Sequence, residues 1–435
     1  MSRDHAVLRD LASRYAEVAA APRMDDLREL WRGYCAGEAT RVPVLLDIGL
    51  WNAWAKERFP LAAMECEDPF LRAHERSLRF QLLHASLGDD TVFEPWYTIQ
   101  AVHTPPGDAV WGIPYRRDET SRAGAHRTTD NAPLNLDAAD AIGTAYHLHP
   151  VLEIEDDLEK LSQPVFVIDE AETDRRRARL EEAFGSGGGG GLTVHVDRGP
   201  FLKGFGADIS TTMARLRGLE EMMLDMYERP EWLHRLAAFL RDGILAHQDA
   251  SEAAGDISYA AGFNQAVPYH RSLPDPRPNA YGARRSELWA FFAAQEFTDV
   301  SPAMHEEFLL AYQRPIMEKW AFVSYGCCED LTRKIDMLRS VRNLRRIGVT
   351  PYADLASCAE QIGTDYLLSW RPGPTDLVCS RFDEEMIRDR LADGVAICRR
   401  NDNNFDIMLK DVEALAAGPQ SLGRWVEIAR ETTQE

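Results

Sequence analysis

The segment Trp320–Glu329 reads WAFVSYGCCE, an apolar run that ends in two adjacent thiols and a carboxylate. The bulky side chains up to Tyr325 predict a short β-strand that is buried on both faces, and Gly326 ends it. Helical patterns precede and follow this segment. Where strands and helices alternate, the strands run parallel and their carboxyl ends meet at one edge. In (β/α)8 barrels that edge holds the catalytic residues, so the two thiols are candidate site residues.

The rest of the chain repeats this alternation. Seven further segments have the composition of strands, namely residues 42–49, 90–97, 192–196, 257–259, 343–349, 365–370 and 404–409. They predict an α/β fold in which residues 41–435 form one (β/α)8 TIM barrel. Residues 1–40 predict N-terminal helices that cap one end of the barrel or form a dimer surface. Residues 98–190 contain Pro-rich and polar runs, which predict a large insertion over the barrel mouth after the second strand.

The composition narrows the classes of partner. The chain has 435 residues and a formal net charge of -21, which argues against nucleic acid because phosphate binding needs concentrated Lys and Arg. No apolar run approaches the ~20 residues that span a bilayer, and the first residues lack the apolar core of a secretory signal. We therefore expect a cytoplasmic protein with no membrane partner. The seven cysteines are an odd number and do not indicate a disulfide framework.

The adjacent thiols allow three interpretations. On an extended segment Cys327 and Cys328 would point in opposite directions, but at a turn both could converge. With Glu329, Glu296 or His103 they would then complete a tetrahedral zinc site that stays open to substrate. Alternatively, one thiol is packed, the other is exposed, and the adjacent carboxylate pairs with an arginine. The third interpretation is a thiolate nucleophile whose pKa is lowered by nearby arginines.

Four charged residues follow or end apolar stretches. Glu94 and Glu296 would be able to transfer protons if burial raises their pKa, and would otherwise be paired carboxylates. Lys410 and Asp411 close the last predicted strand. A lysine at this place would neutralise an anionic substrate or form an ion pair between neighbouring strand ends.

The remaining candidates are substrate contacts. Arg371 precedes a proline, and its planar fork would clamp a carboxylate or phosphate or form a structural ion pair. His103 heads a Pro-rich loop, where its imidazole would be a ligand, a base or a loop-stabilising hydrogen-bond partner. Asn264 would orient the substrate from a turn-rich loop, and Tyr97 would contact it from the second predicted strand.

Several motifs in the chain carry a resemblance to a known family. They are Leu219–Glu220, Asp225–Tyr227, Pro230–Glu231, Gln295–Phe297, Val300–Pro302, Tyr325–Glu329, Asn343–Arg345 and Leu409–Asp411. Together they resemble the uroporphyrinogen decarboxylase-like superfamily, and more closely its branch related to corrinoid-dependent methyltransferases. The resemblance extends over residues 40–430 and is strongest from residue 200 onward.

The resemblance implies a (β/α)8 barrel with its site at the carboxyl face. It also implies methyl transfer with a corrinoid or cobalamin carrier supplied by a partner protein, and a homodimer. Methyltransferases of the superfamily bind zinc through a His-x-Cys motif at a strand end and a later Cys. In this chain Tyr325 takes the place of the His and Cys327 that of the first Cys, while the later Cys position falls near Lys410. Tyr325 is also a candidate substrate contact.

Three hypotheses about function follow. The first is a methyltransferase that moves a methyl group to or from a small substrate. In it Cys327 binds metal or activates a thiol, and Glu296 and Glu329 are ligands or proton-transfer groups. Lys410 and Arg371 then hold an anionic part of the substrate.

The other two hypotheses involve no methyl transfer. The second is a decarboxylase-type lyase that acts on a small carboxylate or tetrapyrrole. The third is a non-catalytic barrel that binds a cobamide or tetrapyrrole. True uroporphyrinogen decarboxylases hold substrate carboxylates with an Arg-rich loop after the first strand. Here no arginine lies between that predicted strand and Arg58, which argues against a tetrapyrrole substrate.

Overall fold

The computed structural model describes residues 2–105, 109–117, 148–185, 191–260, 267–378 and 382–434. Eight of its strands have four to six residues: β1 Val44–Asp47, β2 Trp96–Gln100, β3 Thr193–Asp197, β4 Trp289–Phe292, β5 Phe322–Tyr325, β6 Leu344–Val349, β7 Leu367–Trp370 and β8 Phe405–Lys410. Six of them form one parallel sheet in the order β1–β8–β7–β6–β5–β4. Strands β2 and β3 form a separate parallel pair.

Helices connect these strands. Their bounds are α1 Arg3–Ala19, α2 Pro22–Ala36, α3 Ala53–Arg58, α4 Pro69–Ser86, α5 Glu170–Phe184, α6 Ser210–Arg217, α7 Leu219–Glu228, α8 Pro230–Ala254, α9 Pro302–His305, α10 Ala311–Met317, α11 Ile335–Leu338, α12 Leu355–Ile362, α13 Thr375–Val378, α14 Glu384–Arg400 and α15 Gln420–Gln434. A π-helical turn, Glu306–Leu310, joins α9 to α10. No helix in the described part of the chain is long and apolar enough to cross a membrane.

The sheet is interrupted at two places. Within the described ranges no hydrogen-bonded ladder joins β1 to β2 or β3 to β4. The structure therefore shows an α/β fold with a curled six-stranded parallel sheet and a parallel pair, and not an unbroken eight-stranded barrel. The prediction of an α/β fold with parallel strands is confirmed, and the closed (β/α)8 barrel is not shown.

Side chains complete the hydrogen bonding at both interruptions. At the edge of β1, the Val44 and Leu46 amides donate to Asp90 Oδ2 and Asp89 Oδ2, each at 2.9 Å. Both aspartates precede β2 in the chain. Buried backbone groups need partners, and here two carboxylates supply what an adjacent strand would otherwise provide.

The edge of β3 is completed in the same way. Asn279 Nδ2 donates to the Val194 carbonyl at 2.9 Å, and the Val196 amide donates to Asn279 Oδ1 at 3.2 Å. The Tyr281 hydroxyl donates to the Val196 carbonyl at 2.9 Å. Both side chains come from the segment before β4, so polar side chains bridge β3 toward that segment.

A buried ion pair joins the strands inside the curled sheet. Arg346 on β6 donates to both oxygens of Asp406 on β8, at 2.9 Å from Nε and 2.6 Å from Nη2. Ser369 on β7 donates to the same carboxylate at 3.0 Å. The Tyr34 hydroxyl of α2 also donates to it at 2.7 Å, so the N-terminal segment is tied to the interior.

Two predicted strands differ from the structure. The strand predicted at 257–259 is wrong, because Ser258 forms only an isolated bridge to Tyr281. The fourth strand is instead Trp289–Phe292, whose four residues are all buried. A continuous apolar run of this length fits a buried strand or a buried helix equally well, so periodicity cannot assign it. The second strand begins at Trp96, later than predicted.

The region between β2 and β3 is only partly described. His103–Thr104 pairs antiparallel with Val167–Ile168, and Arg116–Arg117 pairs antiparallel with Leu148–His149. Residues 118–147 of the predicted insertion lie outside the described residues. The division into an N-terminal segment, a barrel and an insertion stays a prediction.

The buried pair of Arg346 and Asp406 yields a test of stability. Asp406→Ala leaves a fully buried guanidinium without its counterion, so the free energy of unfolding should fall by ~3–5 kcal/mol in urea denaturation. Glu318→Ala is the matched control. On the surface, Arg342 donates to the two oxygens of Glu318 from Nε at 3.0 Å and from Nη2 at 2.9 Å, the same two nitrogens that Arg346 uses. That variant should change stability little, since exposed pairs are screened by water. Equal losses in the two variants would contradict this account.

Candidate active site

The carboxyl ends of the parallel strands bring several predicted site residues together. Cys327 and Cys328 follow β5, Arg371 follows β7, and Lys410 and Asp411 end and follow β8. These strands belong to one parallel sheet, so all five residues lie at the same edge. The convergence follows from the strand direction alone.

The ammonium group of Lys410 contacts both thiols. Its Nζ is 3.2 Å from Cys327 Sγ and 3.1 Å from Cys328 Sγ, and the two sulfurs are 3.5 Å apart. Asp411 Oδ2 lies 2.9 Å from the same ammonium and 3.6 Å from Cys328 Sγ. Lys410 is buried and Cys328 is partly exposed, so the cluster opens to solvent on the Cys328 side.

A sharp turn after β5 makes the thiols converge. Gly326 has a φ of +106°, and a Cβ at this position would lie 3.1 Å from the Gly348 carbonyl oxygen. Glycine adopts this conformation without the steric cost that other residues incur. The turn therefore places adjacent side chains on one side, which an extended strand would not do.

Two buried charged groups hold the turn. Arg371 Nη1 donates to the Gly326 and Cys327 carbonyls, each at 2.7 Å. Glu329 accepts from the Cys327 amide at 2.8 Å and from the Ala294 amide at 2.7 Å. Both side chains are fully buried, so the position of the thiols is set from inside the protein.

The contacts separate the two thiols electrostatically. The hydrogen bond from Cys327, together with the charge of Lys410, outweighs burial and lowers the pKa of Cys328 to about 7. The same hydrogen bond, followed by burial, raises the pKa of Cys327. Burial acts to lower the pKa of Lys410, but the neighbouring thiolate and carboxylate charges raise it overall. As the pH rises through about 7 the pair therefore gains one negative charge, which lies mainly on the partly exposed sulfur of Cys328.

The donor set does not fit the predicted zinc ion. Among the residues described, no three His, Cys, Asp or Glu side chains are arranged to hold a metal. Both oxygens of Glu329 accept backbone amides, those of Ala294 and Cys327, so this carboxylate is engaged by the backbone of the turn. The positive charge that a metal would supply beside the sulfurs comes here from Lys410. We therefore derive no chemical step through a metal.

Glu296 belongs to a neighbouring polar group. Its Oε2 accepts from the Ser210 hydroxyl at 2.7 Å. Burial, followed by the charge of Glu296, raises the pKa of Asp208 well above its usual value. Asp208 also accepts from the Thr211 hydroxyl at 2.7 Å. A carboxyl group held protonated in this way can donate a proton.

Tyr325 does not face the thiols. Its hydroxyl donates to Gln313 Oε1 at 2.9 Å and lies 3.0 Å from His305 Nε2. Both partners lie on the helical segment before β5, so Tyr325 packs on the helix side of the sheet. Neighbouring residues of a strand point to opposite faces, and this alternation places it there. Its predicted role as a substrate contact is not supported by this position.

Three further candidates form hydrogen bonds or ion pairs with groups other than the thiols. Glu94 precedes β2 and pairs with Arg28 Nη2 at 2.8 Å. The Tyr97 hydroxyl is 2.9 Å from His74 Nδ1 on α4, so Tyr97 faces the helices. His103 has its Nδ1 3.1 Å from the Pro105 carbonyl oxygen, as the loop-stabilising alternative predicts. Asn264 lies outside the described residues.

The sequence analysis does not identify the two phenylalanines near Cys327 or the carboxylates of Asp197 and Asp208. Phe291 packs with Cys327, and Phe205 contacts this cluster with its ring 5.3 Å from that of Phe291. Asp197 ends β3 and pairs with Lys203 Nζ at 2.6 Å. A polar residue at a strand end was the available signal for Asp197, whereas nothing local distinguishes Asp208.

Comparisons with known proteins support the fold alone. No family model matches the chain, and no curated protein matches it. A solved structure of a methyltransferase from Methanosarcina mazei is similar, with a TM-score of 0.52 and 13% sequence identity. The match covers 94% of this chain and 99% of that one. The two proteins therefore share a fold over most of their length.

The contacts of Lys410 predict a pH profile for Cys328. The alkylation rate of Cys328 by iodoacetamide should rise with pH around an apparent pKa of about 7, because the thiolate is the reactive form. In Lys410→Met the midpoint should move to higher pH, since the ammonium that stabilises the thiolate is gone. Peptide mass spectrometry measures both rates, and Cys328→Ser identifies the signal. An unchanged midpoint in Lys410→Met would show that the ammonium does not act on this sulfur.

Proposed function

We propose that this protein is a methyltransferase in which the Cys328 thiolate exchanges the methyl group and Lys410 is its counterion. The observation that supports this proposal is the ammonium within 3.2 Å of both sulfurs at the carboxyl edge of the sheet. The methyltransferase-like fold agrees with it. We also propose that the strands complete a (β/α)8 barrel, with the side-chain bridges at β1 and β3 closing it.

The proposed step is a nucleophilic displacement. The Cys328 sulfur attacks the methyl carbon, an S–C bond forms, and the bond between the methyl group and the donor breaks. The electron pair of that bond leaves with the donor. In the opposite direction an acceptor attacks the methyl carbon and the thiolate leaves. A thiol with a pKa near ambient pH suits both directions, because it is ionised yet still nucleophilic.

Neighbouring residues have supporting roles in this proposal. Lys410 stabilises the thiolate before attack and after departure of the methyl group. Cys327 donates a hydrogen bond to the same sulfur, and its burial keeps it a thiol. Asp208 and Glu296 would hold a proton for a substrate atom that changes its charge during transfer.

The proposed reaction needs a methyl carrier. We propose a corrinoid on a partner protein, because the motifs of this chain resemble those of corrinoid-dependent methyltransferases. The corrinoid would supply or receive the methyl group, while this chain contributes the sulfur and the substrate contacts. Decarboxylation requires cations that hold the substrate carboxylate, but it does not require a thiolate. A requirement for the Cys328 thiolate therefore distinguishes methyl transfer from decarboxylation.

Methylcobalamin provides the test of function. Incubation in the dark should give a Cys328 peptide with the added mass of one methyl group, together with loss of the cobalt–methyl absorbance. Cys328→Ser should abolish both signals. Cys358→Ser is the matched control, because that thiol is buried with its Sγ 3.9 Å from Thr332 Oγ1, and burial raises its pKa to about 12. Methyl transfer at an unchanged rate in Cys328→Ser would refute the role of this sulfur.

A further inference from the structure

The thiol pair formed by Cys327 and Cys328 lies close to bonding distance. The two residues are adjacent in the chain, and their Sγ atoms are 3.5 Å apart. A disulfide joins sulfurs at about 2.0 Å, so closing the gap requires an approach of about 1.5 Å. The Cys327 amide donates to Glu329 and its carbonyl accepts from Arg371, which hold the backbone of the turn. The turn therefore keeps the two sulfurs in a position from which an S–S bond can form.

The two sulfurs differ in access and in charge. Cys328 is partly exposed, whereas Cys327 is buried. The hydrogen bond from Cys327, with the charge of the Lys410 ammonium 3.1 Å away, lowers the pKa of Cys328 to about 7. The sulfur that meets solvent is thus the one that ionises first. Cysteines that sense oxidants combine these features, namely a thiolate, access to solvent and a second thiol beside it.

Other cysteines in the described part of the chain lack this combination. Four of them are buried, and burial raises the pKa of each: Cys35, Cys66, Cys358 and Cys398. None of the four is adjacent to another cysteine in the sequence. An oxidant that reacts with thiolates should therefore act on the thiol pair before it acts on these four residues.

We propose that the thiol pair is a reversible oxidation site, which a hydroperoxide closes to a vicinal disulfide between Cys327 and Cys328. Cys328 is the residue that reacts with the peroxide, because its sulfur is accessible and charged. Cys327 is the resolving thiol, because it lies within reach of that sulfur but is shielded from solvent. This modification goes beyond the proposed methyl transfer and requires no methyl donor.

The oxidation proceeds in two balanced steps. The Cys328 thiolate attacks one oxygen of hydrogen peroxide, the O–O bond breaks, and the sulfur is oxidised to a sulfenic acid. The peroxide is reduced by two electrons, and the released hydroxide takes a proton from solvent to become water. The Cys327 sulfur then attacks Cys328 Sγ, so that an S–S bond forms and the S–O bond breaks. The hydroxyl group leaves with the proton of the Cys327 thiol as a second water.

The closed pair should reopen readily. A trans peptide bond joins the two residues and sets their Cα atoms about 3.8 Å apart. Most disulfides span a Cα separation of about 4.4 to 6.8 Å, and a bond outside that range is more easily reduced. Asp411 Oδ2 lies 2.9 Å from the Lys410 ammonium, so the buried cation keeps a counterion after the thiolate is consumed. The protein can therefore hold the oxidised form and return from it.

Closure also has a consequence for catalysis, and this consequence rests on the proposed function. The disulfide contains no thiolate at Cys328, so the closed protein cannot take a methyl group there. A hydroperoxide would then stop methyl transfer, and a thiol reductant would restore it. Disulfide formation and methylation are measured separately, so the failure of one is distinguishable from the failure of the other.

Peptide mass spectrometry of the full-length protein tests the oxidation site. The protein is treated with hydrogen peroxide at neutral pH, unfolded, alkylated with iodoacetamide and digested with trypsin, which releases both thiols in one peptide, residues 320–333. We expect this peptide to lose two hydrogens and to carry no alkyl group. Reduction by millimolar glutathione before alkylation should restore two alkylated thiols. Cys358→Ser is the control and should close the thiol pair as the wild type does.

Two serine variants test the assigned roles. Cys327→Ser keeps a hydrogen-bond donor beside Cys328 but removes the resolving thiol, so dimedone should trap a sulfenic acid on Cys328. In Cys328→Ser the buried Cys327 should stay fully alkylatable after peroxide. Oxidation of Cys327 in that variant at the rate of the wild-type pair would contradict these roles.

The wild-type result decides the proposal even if a variant folds poorly. Two alkylated thiols after peroxide, a sulfinic acid on Cys328 beside an alkylated Cys327, or a disulfide that glutathione does not reopen would each overturn it. Methylation of Cys328 at the full rate in peroxide-treated protein would also overturn it. Reversible closure in a protein whose reduced Cys328 accepts no methyl group would uphold the oxidation site and refute the proposed methyl transfer instead.

Discussion

The contact between the Lys410 ammonium and two sulfurs is the interaction on which the candidate site depends. An ammonium this deeply buried needs nearby negative charge, and the thiol pair and Asp411 provide it. In return, the hydrogen bond from Cys327 and the charge of this ammonium together lower the pKa of Cys328 to about 7. Neither partner is stable at this depth without the other, because burial of a single unpaired charge is costly. The lysine and the thiol pair therefore act as one unit.

The sheet brings these groups together from distant parts of the sequence. Cys327 and Lys410 are separated by 83 residues, but both lie at the carboxyl edge of parallel strands. Inside the sheet, the buried ion pair of Arg346 and Asp406 joins β6 to β8, the strand that ends in Lys410. Arg371 lies after the strand between β6 and β8 and fixes the thiol turn by two hydrogen bonds. The site is thus held from inside the sheet as well as by its loops.

Much of this arrangement could be predicted from the sequence. The run WAFVSYGCCE predicts a buried strand and a turn, and the structure has both, with Gly326 at a positive φ. The sequence also allows the thiols to converge at a turn and His103 to form a loop hydrogen bond, and the structure shows both contacts. The sequence predicts a closed barrel, but the structure shows interruptions beside β1 and β3. Aspartate and asparagine side chains bond to the strand edges there, and a single sequence does not show where those side chains point.

Other features could not be read from local patterns. The apolar run of β4 has no periodicity that distinguishes strand from helix. Glu329 looked like a ligand because it adjoins two thiols, yet its oxygens accept two amides that only the folded chain brings near. The raised pKa of Asp208 depends on burial and on Glu296, 88 residues away in the chain. Long-range contacts of this kind leave no signal in a single sequence.

Metal analysis of the purified protein tests the central claim most directly. If Lys410 supplies the positive charge beside the thiols, protein produced in zinc-supplemented medium should contain no zinc that depends on Cys327 and Cys328. Wild type, Cys327→Ser and Cys328→Ser should then give the same trace content by mass spectrometry of the elements. Stoichiometric zinc in wild type that is lost in either variant would contradict the account, because the metal would then occupy the position assigned to the ammonium.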